Sequence, residues 1–217
     1  MRKSFERFLK EDEMIDFLSK GGVLVIPILL CSVFALTIFA ERAIRFAVLG
    51  RRGRLVAGRV SDFIEKGDEK GAKEAAMNSR SPMGRILAQG LDVMDQDREI
   101  LETVLAHATE EEVTELSRYL QALATIANIA PLLGLLGTVT GMIKAFMVIQ
   151  QMGGKVNAAV LAGGIWEAML TTALGLAVAL PTMVAHSWLT HRVDRYEARL
   201  QDGTVRFIKS LGKYRGK

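Results

Sequence analysis

The chain has 217 residues, half of them hydrophobic and 24% charged, with a formal net charge of +4. Such a mixture, within a length that suits one or two domains, points to apolar and charged blocks kept apart. Aromatics are only 6%, and the basic residues crowd beside apolar runs, which argues against a nucleic-acid partner. Cys31 is the sole cysteine, so the chain holds neither an internal disulfide framework nor a cysteine zinc site.

Residues 1–22, MRKSFERFLKEDEMIDFLSKGG, carry five basic and five acidic residues before any apolar block. A cleaved signal peptide has a short basic start followed by an apolar core, so this segment is expected to stay attached, outside the membrane. The first apolar run, VLVIPILLCSVFALTIFA at 23–40, stops at Glu41-Arg42. About 20 such residues in a helix cross a hydrocarbon core of about 30 Å. Residues 41–118 are then expected to form a cytoplasmic helical region, broken into shorter helices at Gly67, Gly71 and Ser81-Pro82. From Asp97 to Tyr119 there is neither glycine nor proline. That helix is expected to run straight into the next span, with an uneven apolar stripe through Ile100, Val104, His107 or Ala108, Glu111 or Glu112, and Leu116.

A second span covers 119–149, with Lys144 as its one charge, and a third covers 162–189, with Glu167 as its one charge. Between them lies a short outer loop at 150–161. Val193, Tyr196 and Leu200 recur at helical spacing, so residues 190–217 are expected to form a cytoplasmic helix continuous with the third span. Arginines follow the first span (Arg42, Arg45, Arg51, Arg52, Arg54, Arg59) and the third (Arg192, Arg195, Arg199), whereas the outer loop holds only Lys155. By the positive-inside rule the N-terminus is outside and the C-terminus in the cytoplasm. The fold class is all-α: a membrane protein with three transmembrane helices, two of them extended into a helical cytoplasmic region.

In the second span Ala130, Gly134, Thr138, Gly141 and Ala145 fall within roughly 80° on a helix at about 100° per residue. Small residues on one face let helices pack closely in lipid; the same face could instead form a narrow polar wall. Glu167 tips the balance. An ionisable group in a membrane helix costs about 2.5–3.5 kcal/mol and normally faces protein or a water-filled cavity. Lys144 should lie at a similar depth on the oppositely directed second span, as a candidate ion-pair partner. Thr171 is about 40° from Glu167 around the helix and Thr172 about 140° away. Helix geometry alone therefore makes Thr171 the neighbour of Glu167, while Thr172 aligns with Ala168, Gly175 and Ala179. Pro181 should kink the third span. His107, His186 and His191 lack metal-ligand spacing, no nucleophile–base pair is apparent, and neither a cofactor, a metal nor an enzymatic activity is expected.

APLLGLLGTVTGMIKAF at 130–146 and GGIWEAMLTTALGLAVALP at 163–181 resemble the two signature helices of the ExbB/TolQ branch of the MotA/TolQ/ExbB proton-channel family. The resemblance extends to Glu41-Arg42 and to SPMGRILAQGL at 81–91. It implies a homopentamer in a bacterial inner membrane, surrounding the single-span helices of an ExbD/TolR-type partner that brings an intramembrane aspartate. Proton flow would then move a TonB- or TolA-type envelope-spanning protein. The family pattern assigns Thr138, Glu167 and Thr172 to the polar channel lining, in tension with the helix-wheel choice of Thr171. Gly134, Gly137, Gly141, Gly175 and Pro181 are the expected helix-packing positions. A gliding-type motility motor and a non-conducting membrane scaffold are the competing functions, and the choice of proton or sodium stays open.

Overall fold

The computed structural model describes residues 22–49, 53–151 and 158–215. The expected outer segment, up to residue 21, and most of the outer loop lie outside the described residues. Among the described residues there are seven helices and no strand: α1 Val25–Leu49, α2 Gly53–Glu65, α3 Glu69–Asn78, α4 Pro82–Asp92, α5 Arg98–Ser117, α6 Leu120–Gln151 and α7 Ala158–Arg215. The chain is an all-α membrane protein, and three stretches are long and apolar enough to cross a bilayer: Val25–Leu49, Arg98–Gln151 and Leu161–Tyr214.

The described residues divide into two compact units. The first takes its residues from Met1–Phe39 and Gln121–His186. Its outer surface is apolar: Leu36, Leu132, Met169 and Val184 are between 61% and 71% exposed. In water so large a bare surface would drive association; in lipid it is the surface a spanning helix needs. The interior is rich in small residues, with Ala127, Ala130, Ala145, Ala168 and Ala179 buried beside the larger Val25, Ile28 and Leu123.

The second unit, Ala40–Leu120 with Ser187–Lys217, has an ordinary hydrophobic core. Its short helices begin where local chemistry starts them. Asp68 caps α3 by accepting from the Gly71 amide at 2.9 Å. Ser81, in extended backbone, accepts from the Gly84 amide at 3.2 Å, with Pro82 in the first turn of α4. Both are standard N-cap arrangements, satisfying amides that the first helical turn leaves free. Ile86 and Leu87 of α4, Val60 and Ile64 of α2, and Leu200 and Phe207 of α7 are fully buried in this core.

Two expectations for 97–119 need correction. The buried stripe is Leu101, Leu105, Ala108 and Leu116, while Ile100 is exposed. The stripe is one residue off only in its first two turns, at Leu101 and Leu105, and coincides with the expected one at Ala108, the half-buried Glu112 and Leu116; Arg85 binds Glu112 through Nε and Nη2. This carboxylate holds the Arg85 guanidinium above its ordinary pKa, mainly through the hydrogen bond.

Nor does the helix run straight on. It breaks after Ser117, where Arg118 is extended (ψ 136°) and Tyr119 is left-handed (φ 67°). A non-glycine residue in that region costs about 1–2 kcal/mol, and Arg42 of α1 supplies the compensation. Its side chain is 1% exposed, and its Nη1 donates to the Glu115 carbonyl at 3.1 Å. The Tyr119 ring lies 5.2 Å from the Arg42 guanidinium and 4.9 Å from that of Arg118, at cation–π distance. Arg45 adds a 3.0 Å bond to the Glu115 carboxylate. The Glu41 carboxylate is 2.9 Å from Arg42 Nε but out of line for a hydrogen bond.

Arg42→Met removes the donor for a carbonyl at the helix break, and should lower unfolding stability by about 1–3 kcal/mol. Amide exchange at residues 116–119 should accelerate. Unchanged exchange there would show that the break does not depend on Arg42.

Candidate ion-pair site in the membrane unit

Helices α6 and α7 meet along an antiparallel seam of small residues: Ala130, Gly134, Gly137, Gly141 and Ala145 against Gly164, Ala168, Thr171 and Gly175. The approach leaves no room for side chains at two places in particular. A Cβ on Gly175 would stand 2.6 Å from the Ala130 carbonyl oxygen, and one on Gly137 would overlap the Thr171 hydroxyl. Close backbone contact of this kind replaces the hydrophobic effect as the attraction between helices in lipid. Gly137 therefore occupies the seam position that angular spacing suggested for Thr138. Pro181 is exposed and takes no part in it. Helix α7 continues through Pro181, and the Thr182 hydroxyl donates to the Val178 carbonyl at 2.6 Å.

At one end of the seam the two intramembrane charges meet. Lys144 Nζ lies 2.8 Å from Glu167 Oε1, with the lysine side chain 57% exposed and the glutamate side chain 25% exposed. Beside the pair is a cavity of about 160 Å³ lined by Val23, Leu24, Gly137, Thr140, Lys144, Glu167 and Thr171. The Thr171 hydroxyl donates to the Ala168 carbonyl at 2.8 Å, and that of Thr140 to the Leu136 and Gly137 carbonyls at 3.0 and 3.1 Å. With their protons committed to the backbone, both hydroxyls keep lone pairs as acceptors. The cavity thus has a carboxylate, an ammonium and two hydroxyl oxygens on its walls, room for several waters and the partners that waters need.

The other expected lining residues do not join them. Thr138 is half-buried and its hydroxyl turns back to the Leu135 carbonyl at 2.7 Å. Thr172, also half-buried, donates across the helix interface to the Gly134 carbonyl at 3.1 Å. Thr171, buried to 1% exposure, is the threonine beside Glu167. Thr140 did not stand out in the sequence, although 137, 140 and 144 share a helix face at the i, i+3, i+7 spacing, as do 167 and 171 at i, i+4. Among the described residues no three potential ligands converge on a metal site. His107 and His191 lie 3.6 and 4.0 Å from Glu111 and Asp194.

The family model described as the MotA/TolQ/ExbB proton channel family matches residues 78–202. Over 182 residues the chain is 29% identical to a putative biopolymer transport protein, an ExbB homolog, of Methanothermobacter thermautotrophicus, which covers 83% of this chain and 64% of that protein. Two ExbB-like putative biopolymer transport proteins of Synechocystis sp. are also similar. One is 35% identical over 171 residues, covering 77% of this chain and 66% of that protein; the other is 30% identical over 186 residues, covering 85% and 88%. The chain therefore spans just under two-thirds of the length of the first two relatives.

Replacing Gly175 with Ala forces α6 and α7 apart at the Ala130 carbonyl, an overpacking that typically costs about 1–3 kcal/mol. A lower unfolding midpoint in detergent is expected. An unchanged midpoint would show that the seam does not hold these helices together.

Proposed function

The chain belongs to the MotA/TolQ/ExbB proton channel family, in its ExbB/TolQ branch, and we propose that it is the multi-span subunit of a proton-driven inner-membrane motor. The observation that carries this reading is the Lys144–Glu167 pair beside a cavity that also holds the Thr140 and Thr171 hydroxyls, in a unit whose exterior is apolar. Intramembrane charges are costly, and their usual use is to carry or relay ions.

One carboxylate near one end of a span cannot relay a proton across about 30 Å of hydrocarbon. A full path needs a second protonatable group at depth. In the proposed assembly this group is an aspartate on the single span of an ExbD/TolR-type partner, enclosed by several copies of this chain, five by resemblance to the family. By resemblance to the family, Glu167, Thr138 and Thr172 line the path shared with that partner, the two threonines apart from the cavity that Thr140 and Thr171 wall, and Lys144 holds Glu167 between proton transfers. Movement of the partner within the ring passes to a TonB- or TolA-type transducer. The basic residues after the first and third spans support an N-terminus in the periplasm and a C-terminus in the cytoplasm.

A second reading, a membrane scaffold without conduction, has one observation in its favour: an ion pair can serve simply to hold α6 and α7 together. Glu167→Gln separates the two, because the amide keeps the size of the carboxylate and loses its proton chemistry. With the partner present, the motor reading expects a complex that still assembles and has lost its proton-driven work. The scaffold reading expects lost work only where assembly is lost. In liposomes, the chain without its partner should pass little proton current, and a strong current from it alone would contradict the need for a second carboxylate.

A further inference from the structure

The turn leading into α1 lies directly against the ion pair. Gly22 is left-handed, with φ of 70°, and its carbonyl accepts from the Val25 amide at 3.2 Å as the helix begins. The next two residues, Val23 and Leu24, are walls of the cavity that holds Glu167. A Cβ placed on Gly22 would overlap Glu167 Oε1, stand 3.1 Å from its Cδ and approach Lys144 Nζ to 3.6 Å. Position 22 is thus constrained twice: by a backbone conformation that most L-residues avoid, and by a carboxylate occupying the space where a side chain would go.

We infer that Gly22 is a positioning residue for Glu167: its bare main chain is the third support of the carboxylate, beside Lys144 and the α6–α7 seam, and fixes it on the lysine. The inference rests on the reading of Glu167 as a pathway group only for its effect on conduction; the placement itself stands on geometry. The obstructing atoms belong to the free end of a flexible side chain. A Gly22→Ala chain can therefore fold by swinging Glu167 away from Lys144, so the consequence is a displaced carboxylate in an intact bundle. Neither helix periodicity nor the spacing of charges marks this residue, because it precedes the span and bears no functional group.

The test reads the position of the pair without using conduction. An ammonium held by a carboxylate is acylated more slowly than one released from it. In the detergent-purified full chain, acetylation of Lys144 by a small acylating reagent is followed by mass spectrometry. Gly22→Ala should raise the rate several-fold, toward that of Glu167→Gln. Gly163→Ala, where a Cβ meets nothing within 4 Å, should leave it unchanged. Gly22→Asn separates backbone strain from overlap, since asparagine tolerates the left-handed conformation but still carries a side chain. Asparagine should behave like alanine.

A native rate in Gly22→Ala, or a rise with alanine and none with asparagine, overturns the inference. In the complex with its single-span partner, Gly22→Ala should also lose proton current several-fold, and adding Glu167→Asp, a carboxylate shorter by one methylene, should restore part of it. If acetylation rises while Gly22→Ala and Glu167→Gln both conduct normally, the placement stands and the pathway role of Glu167 fails. If acetylation does not change, the placement fails whatever the current.

Discussion

The polar features of the membrane unit all depend on how closely α6 and α7 approach. Gly175 lies so near the Ala130 carbonyl that a methyl group there would be only 2.6 Å away, and Thr171 fits into the space that Gly137 leaves. Lys144 and Glu167 come from these two antiparallel helices, and a salt bridge of 2.8 Å tolerates little change in their separation or register. A larger residue in the seam would move the lysine and the carboxylate apart as well as loosen the packing. In lipid, where apolar burial drives nothing, the same small residues supply both the attraction and the geometry.

The second unit meets a different demand. Its core of leucine, isoleucine, valine and phenylalanine is that of a water-facing bundle, and its inward-facing Glu112 and Arg42 have polar partners. Arg85 satisfies Glu112, and Arg42 donates to a carbonyl at the end of α5. A buried guanidinium without such partners would be strongly destabilising. Arg42 belongs to the Glu41-Arg42 pair that ends the first apolar run, so the residue that reads as a topological marker is also the one that stabilises a helix break.

Much of the fold was legible because two long runs each carry one charge and the first carries none. The glycine at Gly67 and the turn at Ser81-Pro82 likewise marked where short helices begin, whereas Gly71 lies inside α3. The break at Tyr119 was not legible: no glycine or proline marks it, and the contact that supports it comes from Arg42, far away in the sequence. The stripe in α5 was misplaced by one residue only in its first two turns, where Ile100 and Val104 are as apolar as the Leu101 and Leu105 that are buried. At the candidate site, angular spacing favoured Thr171 beside Glu167 where the family pattern favoured Thr172, and the cavity contains Thr171. Gly137 and Thr138 are adjacent in sequence, and only the facing helix decides which of them enters the seam.

The proposed site stands or falls on Lys144 and Glu167 meeting within the membrane unit. A nitrogen–carbon dipolar-recoupling measurement by solid-state NMR, on the assembled protein in lipid with labelled lysine and glutamate side chains, tests this directly. The expected result is a coupling between the Lys144 ammonium and the Glu167 carboxyl carbon that corresponds to ion-pair contact, with nitrogen and oxygen within about 4 Å, and that disappears in Glu167→Gln. No coupling at any pH where the carboxylate is charged would contradict it, and the proposed site would then have to be abandoned.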